Sequence, residues 1–122
     1  MKEYIEFKGR PVDTAEYGNW FYGFYLQDLE DGIVKDFIFN CPEKVEIHLK
    51  TLCEFTRMHD KNGKRIYEGD ILKDSTGRCR FVVFWNGCWW LKYKGTLFDQ
   101  LVDQCRHSEI VGNIHDTGSK KL

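Results

Sequence analysis

The chain has 122 residues and a formal net charge of −1 at pH 7, enough for one domain, or for a barrel with an attached lobe, that buries its own core. Its aromatic content of 16% and apolar content of 42% exclude a disordered chain. No apolar run is long enough for a membrane helix and residues 1–4 lack the apolar core of a signal peptide, so we expect a cytoplasmic protein without membrane contact.

Charge is distributed unevenly along the chain. Residues 1–56 carry six Lys and Arg against eleven Asp and Glu, a balance of −5. Residues 57–80 carry seven against four, a balance of +3, and residues 81–122 carry five against four, a balance of +1. This asymmetry permits self-association or a partner surface of mixed charge, but it falls well short of the charge of a nucleic-acid-binding domain.

Five cysteines are an odd number in a chain without a secretion signal, so we expect reduced thiols. No two of them form a C-x-x-C pair, and no Cys and His have the spacing of a structural zinc site. Nucleotide-binding, esterase and metalloprotease motifs are also missing from the sequence. We therefore predict no disulfide, no metal and no cofactor.

The first 55 residues predict an antiparallel β lobe. Residues 20–29 are dense in aromatic side chains, Asp31-Gly32 is a hairpin signal, and residues 33–40 return as the partner strand. Cys41-Pro42 interrupts this pattern, and residues 45–49 then alternate apolar and polar side chains as a short strand does.

The next stretch contains two turn signals. Asn62-Gly63 tolerates the positive φ that a tight turn demands, and Gly69 gives the same freedom to the corner Glu68-Gly69-Asp70. The structural interpretation is a surface turn followed by a barrel corner. The functional alternative makes His59, Glu68 and Asp70 a polar cluster for proton transfer or metal binding, because an imidazole with paired carboxylates suits such chemistry.

Residues 78–93 give the strongest hairpin signal, with Asn86-Gly87 between two apolar runs. If these two residues form the loop, Trp85 faces Cys88 and both faces of the hairpin are apolar. Because a sheet with one face in water alternates apolar with polar residues, this hairpin is predicted either to be covered on both faces or to offer one to a partner. The candidate interface residues are Trp85, Trp89, Trp90 and Tyr93.

Residues 96–107 predict the one helix, in which apolar side chains fall on one stripe and Thr96 with Asp99 can form a cap. The last strand is predicted at residues 109–114, where Gly112 indicates a bulge or a close backbone contact. Residues 56–116 thus predict a small SH3-like barrel with one helix, and residues 117–122 a flexible tail. The apolar stripe consists of Leu97, Phe98, Leu101, Val102 and Cys105.

The motif Asp60–Leu72, with Phe55-Thr56 before it and a terminal Gly-Asn-Ile at 112–114, closely resembles the YopX family of phage and prophage proteins. Phe7–Arg10 and Trp20–Gly23 extend the resemblance to nearly the whole chain. The residues that carry the family motif are Asp60, Asn62, Gly63, Ile66, Tyr67, Glu68, Gly69, Asp70, Gly112 and Asn113.

The sequence departs from the family pattern at the entry to this motif. Arg57 stands where the family usually has a small residue, and Cys53 stands where it commonly has glycine, so a different backbone path is expected there. The resemblance implies a phage or prophage origin, a bacterial cytoplasm, a small-barrel β fold and oligomerisation. It implies no reaction.

Two classes of function remain. The first is a non-catalytic binding or assembly module that associates with itself or with a host or phage protein. In a nucleic-acid-binding variant of it, exposed Trp or Tyr would stack on bases while basic side chains contact phosphates. The second is an enzyme with a site near His59, Glu68 and Asp70, whose side chains would have to converge in a cleft. The candidate phosphate contacts are Arg57, Lys61, Lys64, Arg65, Arg78 and Arg80.

Overall fold

The structure, a computed structural model, describes residues 5–12 and 19–116, so the predicted tail at 117–122 lies outside the described residues. The protein is mainly β, with curled sheets and one short α-helix among the described residues, which confirms the predicted fold class. The SH3-like form of the barrel stays a prediction. Among the residues that the structure describes, no helix has the length and apolar content that crossing a bilayer requires.

The chain divides into two compact units, which we call unit 1 (Met1–Glu54) and unit 2 (Phe55–Leu122). Every strand pairing within each unit is antiparallel. The strands of unit 1 are β1 (Phe7–Gly9), β2 (Phe21–Glu30), β3 (Ile33–Asn40), β4 (Glu43–Glu46) and the start of β5 (Cys53–His59).

In unit 1 the strands lie in the order β4-β3-β2-β1, with Cys53 and Glu54 of β5 beside β1. Asp31 and Gly32 both have positive φ, 53° and 78°, which is the geometry of a two-residue hairpin turn and confirms the predicted β2–β3 hairpin. A Cβ atom on Gly9 would lie 2.8 Å from Cδ1 of Ile47, so a larger residue at this position would force this buried side chain to move.

The short strand predicted at residues 45–49 is displaced. Strand β4 is Glu43–Glu46, because it pairs with β3 directly after the Cys41-Pro42 turn. A 3₁₀ turn at Leu49–Thr51 then ends the extended path, and the Thr51 hydroxyl donates to the His48 carbonyl at 2.6 Å. A local side-chain bond of this kind competes with strand pairing, and alternation of side chains does not reveal it.

Unit 2 contains the rest of β5 and a five-stranded sheet in the order β10-β9-β8-β7-β11. Its core consists of Ile66, Leu72, Val82, Leu91, Leu101 and Cys105, with Met58, Trp89 and Ile110 packed against it. The further elements of unit 2 are β6 (Arg65–Tyr67), β7 (Asp70–Lys73), β8 (Cys79–Trp85), β9 (Cys88–Tyr93), β10 (Thr96–Gln100), α1 (Leu101–Gln104), a 3₁₀ turn (Cys105–His107) and β11 (Glu109–Asn113).

The predicted helix at 96–107 is wrong in its first five residues. Lys94 and Gly95 have φ of 47° and 82°, so they form another two-residue hairpin turn, and Thr96–Gln100 returns as strand β10 beside β9. Helix α1 therefore begins at Leu101. Of the predicted apolar stripe Leu101 is buried and Val102 is 58% exposed, while the side chain of Phe98 lies outside the described part of the chain.

Candidate interaction surface

The turn at the start of the family motif is held by the carboxylate of Asp60, which is buried. Its Oδ1 accepts the backbone N–H groups of Asn62 (2.8 Å) and Lys64 (2.9 Å), and its Oδ2 accepts that of Ile110 on β11 (3.0 Å). Burial opposes ionisation of this carboxyl, but the three N–H donors outweigh it and lower the pKa of Asp60. Asp60 therefore joins the turn to the last strand.

The corner Glu68-Gly69-Asp70 is fixed in the same way. Asp70 is 2% exposed, and its carboxylate accepts the Tyr67 N–H (2.8 Å) and the Asn113 side-chain amide (2.9 Å). Gly69 has φ of 83°, donates to the Val82 carbonyl (2.8 Å) and accepts from the Ile114 N–H (2.9 Å). The separated halves of the family motif, at 68–70 and 112–114, are thus two sides of one hydrogen-bonded corner.

The structure places His59 at the end of β5 and places Glu68 and Asp70 at the corner between β6 and β7. His59 pairs with Arg65 at one end of the β5–β6 ladder, whereas the corner follows Tyr67, which pairs with Phe55 at the other end. The bulged β5 side spans four residue steps between these ends, but the β6 side spans only two, a length of about 7 Å. Within the described residues no three His, Cys, Asp or Glu side chains form a group that could hold a metal ion.

Arg78 and Arg80, two of the residues predicted to contact phosphate, form ion pairs with carboxylates. Arg80 is 1% exposed, and its guanidinium lies 2.5 Å from Asp99 and 3.7 Å from Asp74. Arg78 is exposed, and its Nε donates to Asp74 at 3.2 Å. The Thr76 hydroxyl bound to Asp74 lowers the pKa of that carboxyl to about 2, with the N–H groups of residues 76 and 78 adding to the effect against the opposing influence of burial.

The remaining basic candidates lie on or beside the β5–β6 hairpin. Arg65 is half-buried, and its guanidinium lies over the Phe55 ring at 5.3 Å from the centroid. Lys61, Lys64 and Arg57 are exposed. Arg57 has φ of 69°, a conformation that favours glycine, so the chain here keeps a left-handed backbone although its side chain is large.

The β8–β9 hairpin has two very different faces. The predicted register is confirmed: Trp85 lies opposite Cys88, Val83 opposite Trp90, and Val82 opposite Leu91. Val82 and Leu91 are 0% exposed and form part of the core. The opposite side, which we call the aromatic face, contains no fully buried residue; it comprises Phe81, Val83, Trp85, Cys88, Trp90 and Lys92.

The aromatic face is most exposed near the Asn86-Gly87 turn. Trp85 is 55% exposed, and its ring meets the ring of Trp90 edge-on with centroids 6.2 Å apart. The indole N–H of Trp90 donates to the Trp85 carbonyl at 3.1 Å, which orients both rings. Phe84, also near the turn but on the core side, is 54% exposed and meets Trp89 edge-on at 5.0 Å.

The four predicted interface residues are divided between the two faces. Trp85 and Trp90 belong to the aromatic face, whereas Trp89 lies on the other side and packs against the core. Tyr93 is half-buried near the end of β9, with the Lys94 ammonium 5.3 Å from its ring centroid. Alternation along a strand predicts this division, but it does not predict which face is buried.

A shallow cavity of about 360 Å³ opens on the aromatic face. Leu97 lies directly across the ladder from Lys92, and Gly95 precedes it in the turn. Sequence reasoning missed these contributions because residues 96–100 were assigned to a helix; the Lys94-Gly95 pair is the signal that could have revealed the third strand. The cavity is lined by Val83, Phe84, Trp85, Lys92, Gly95 and Leu97.

Comparison with known proteins supports the resemblance seen in the sequence. A search of curated proteins found no match. The family model described as YopX protein matches residues 13–120, which is most of the chain and includes both halves of the corner motif. The chain therefore belongs to the YopX family.

Proposed function

We propose that this protein is a non-catalytic binding module that acts through protein–protein contacts made by its aromatic face. The observation that carries the proposal is the contrast within one hairpin: Val82 and Leu91 are fully buried, whereas Trp85 on the opposite face is 55% exposed. Exposed apolar surface of this kind, with rings held in fixed geometry, is typical of protein interfaces.

The energetic argument rests on the rings at the hairpin turn. Burying a large apolar side chain is worth about 1.5–3 kcal/mol, and aromatic rings bring the largest areas. Trp85 leaves more than half of its surface in water, so a partner that covers it gains free energy that the fold has not used. Because the rings of Trp85 and Trp90 are already in contact, little side-chain entropy is lost on binding.

The polar residues of the family motif support the same function. Asp60 and Asp70 accept backbone and amide hydrogen bonds that hold a turn and a corner in place. Their carboxylates connect segments that are distant in the sequence. The motif thus stabilises the fold, and the surface that we propose for binding, the aromatic face, is apolar.

We further infer that the protein is a phage or prophage product working in the cytoplasm of a bacterial host. Family membership supports this origin. The five cysteines, all of them free thiols, fit a reducing compartment. Its partner is then a second copy, a host protein or a phage protein.

Affinity capture with matched variants tests the function. Immobilised wild-type protein, Trp85→Glu and Val102→Glu are exposed to the same nuclease-treated bacterial lysate; Val102, 58% exposed in α1, is an apolar control outside the aromatic face. We expect specific proteins on the wild type and the Val102 variant, reduced at least about tenfold on the Trp85 variant, because losing a central aromatic anchor costs about 2 kcal/mol or more.

Two results would contradict the proposal. One is equal recovery of the same proteins by wild type and Trp85→Glu, provided that the variant keeps its thermal unfolding midpoint. The other is recovery that disappears on nuclease treatment and weakens steeply with salt, which would favour the nucleic-acid alternative.

A further inference from the structure

Lys92 is the one charged residue of the aromatic face. It is half-buried, and it lies in a cross-strand row between two apolar neighbours, Phe81 on β8 and Leu97 on β10. Trp90, two residues earlier on β9, lies on the same face. Opposite charges placed across a ladder stabilise a sheet, and this row offers the Lys92 ammonium no such neighbour.

The side chain of Lys92 differs from the other basic side chains that the fold covers. Among the described residues, no hydrogen bond, ion pair or ring contact engages its ammonium group. Every other lysine or arginine at a buried or half-buried position of the described chain forms an ion pair or lies over an aromatic ring, as covered cations usually do. These are Lys8 and Arg10 over Trp20, Lys35 with Glu30, Arg65 over Phe55, and Arg80 with Asp74 and Asp99.

The cavity of about 360 Å³ on the aromatic face has a mixed lining. Lys92 borders it together with Val83, Trp85 and Leu97. The nearby carboxylate of Asp99 lies across the ladder from Leu91, which belongs to the core, and forms an ion pair with Arg80. The aromatic face therefore supplies apolar contacts and one positive charge, but none of its own six residues is a carboxylate.

We infer that Lys92 binds a side-chain carboxylate of a partner protein, and that an apolar residue beside this carboxylate enters the cavity between Val83 and Leu97. The inference rests on the proposed function, because it names the chemistry of the partner segment at the same face. An acidic residue suits the site because a partner that covers the ammonium group removes it from water, and a negative charge compensates for that loss. An apolar neighbour suits it because Phe81 and Leu97 flank Lys92 on both sides.

The ion pair should determine which segment binds more than how tightly it binds. A partly exposed ion pair changes a binding constant by at most about fivefold, so most of the affinity has to come from apolar contacts, including those with Trp85. A segment without a carboxylate would cover the Lys92 ammonium and leave it uncompensated. The aromatic face should therefore discriminate against neutral apolar segments.

Two blocked peptides that differ in one functional group test the inference on the purified full chain. In acetyl-Leu-Asp-Leu-amide the central side chain is a carboxylate, and in acetyl-Leu-Asn-Leu-amide a neutral amide of the same shape replaces it. Titrations followed by NMR at the backbone amides of Lys92 and Leu97 give both dissociation constants. We expect the aspartate peptide to bind in the millimolar range and about three to five times more tightly than the asparagine peptide.

Matched variants locate the discrimination. Lys92→Gln should bind the two peptides equally, whereas Lys61→Gln, a change at an exposed lysine outside the aromatic face, should keep the preference of the wild type. Lys92→Glu should instead prefer acetyl-Leu-Lys-Leu-amide to the aspartate peptide. Neither a purely structural role of Lys92 nor a partial loss of folding produces such an exchange of preference.

Several results would overturn the inference. They are equal binding of the two peptides by the wild type, a preference that survives in Lys92→Gln, and no binding of the aspartate peptide up to about 10 mM. An oligothymidine that shifts the same amide signals at lower concentration would assign the site to nucleic acid. Shifts that follow protein concentration without any peptide would assign it to a second copy, and either assignment replaces the inference.

Failure of this inference can be told apart from failure of the proposed function. If the peptides show no preference for the carboxylate but capture of other proteins depends on Trp85, only the role of Lys92 is overturned. Capture that does not depend on Trp85 overturns the proposed function as well.

Discussion

The family motif and the β8–β9 hairpin use their side chains in opposite ways. At the motif, the carboxylates of Asp60 and Asp70 accept hydrogen bonds from groups far along the chain, including Ile110 and Asn113. On the hairpin, Trp85 turns more than half of its surface to water. The difference teaches that the residues which identify the family hold the scaffold together, while the surface available for contact lies outside the motif.

The largest effect is expected at a buried charge of the scaffold. Asp99→Ala removes the closest carboxylate from Arg80, whose guanidinium is 1% exposed, and leaves it with Asp74 at 3.7 Å. Removing one partner of a buried ion pair typically costs about 3–5 kcal/mol, and we expect the low end because Asp74 remains and the Asp99 side chain is 42% exposed. Urea unfolding measures the loss of free energy of unfolding.

The control for this prediction removes the charge as well. Arg80→Met in the Asp99→Ala background should recover part of the stability, because a buried apolar side chain replaces a guanidinium without its counter-ion. If the double variant is less stable than Asp99→Ala, the guanidinium contributes through contacts other than the ion pair.

The corner motif gives the next largest effect. Asp70→Ala removes a buried carboxylate that accepts hydrogen bonds from the Tyr67 N–H and from the Asn113 amide, which also donates to the Glu68 carbonyl at 3.3 Å, so the free energy of unfolding should fall by about 2–3 kcal/mol. Asp103→Ala, at an exposed position of α1, is the control and should change it by less than about 0.5 kcal/mol. If Asp70→Ala lowers the free energy of unfolding as little as Asp103→Ala does, the hydrogen bonds of the corner do not stabilise the fold.

The turn carboxylate adds a dependence on pH. Asn at position 60 can keep one acceptor oxygen but presents an amide to the Ile110 N–H, so Asp60→Asn should cost about 1–2 kcal/mol at pH 7. The pKa of Asp60 is lowered by folding, so its contribution is present above the unfolded value of about 4 and disappears as pH falls through the folded one.

Stability curves measured between neutral and acid pH check this sign. The wild type should lose stability below about pH 5 more steeply than Asp60→Asn, and the two curves should converge in acid. Asp74, whose pKa is about 2, titrates in both proteins and accounts for part of the remaining slope. Parallel curves would show that the Asp60 carboxylate carries no pH-dependent stability.

The turns and the strand register could be predicted from the sequence because a few residue types strongly favour the backbone conformation of a turn. Asp31-Gly32, Asn86-Gly87 and Gly69 all adopt the positive φ expected of them. Lys94-Gly95 does the same, but lysine before glycine is a weaker turn signal than asparagine or aspartate, and the apolar spacing of the following residues fits a helix as well as a strand. One unrecognised turn therefore changed the assignment of Thr96–Gln100 from strand to helix.

For a related reason, the candidate surface could be predicted only in part from the sequence. Alternation separates the two faces of the β8–β9 hairpin but gives no information on which one the core covers. That is decided by distant residues such as Ile66 and Leu101, which pack with Val82 and Leu91. The ion pair between Arg80 and Asp99 could not be predicted either, because the two residues are 19 positions apart in the sequence and meet only after folding.

A smaller, stabilising effect is expected at Arg57 in β5. Arg57 holds a φ of 69°, which costs a side-chain-bearing residue about 1–2 kcal/mol, while glycine adds about 0.5–1 kcal/mol of chain entropy to the unfolded state. Arg57→Gly should therefore raise the free energy of unfolding by about 0.5 kcal/mol. Arg57→Ala, which keeps the strain, is the matched control and should not raise it.

The smallest effect on stability is expected at Trp85, the residue that we propose to be most important for contact. Trp85 lies at the end of β8 and is 55% exposed, so Trp85→Ser should change the free energy of unfolding by less than about 0.5 kcal/mol. Trp89→Ser is the matched control, because its ring packs against the core next to Leu91, and it should cost about 2–3 kcal/mol. Equal losses at the two tryptophans would mean that Trp85 stabilises the fold. The distinction between a motif whose carboxylates are hydrogen-bonded within the protein and a hairpin whose aromatic rings are exposed would then not hold.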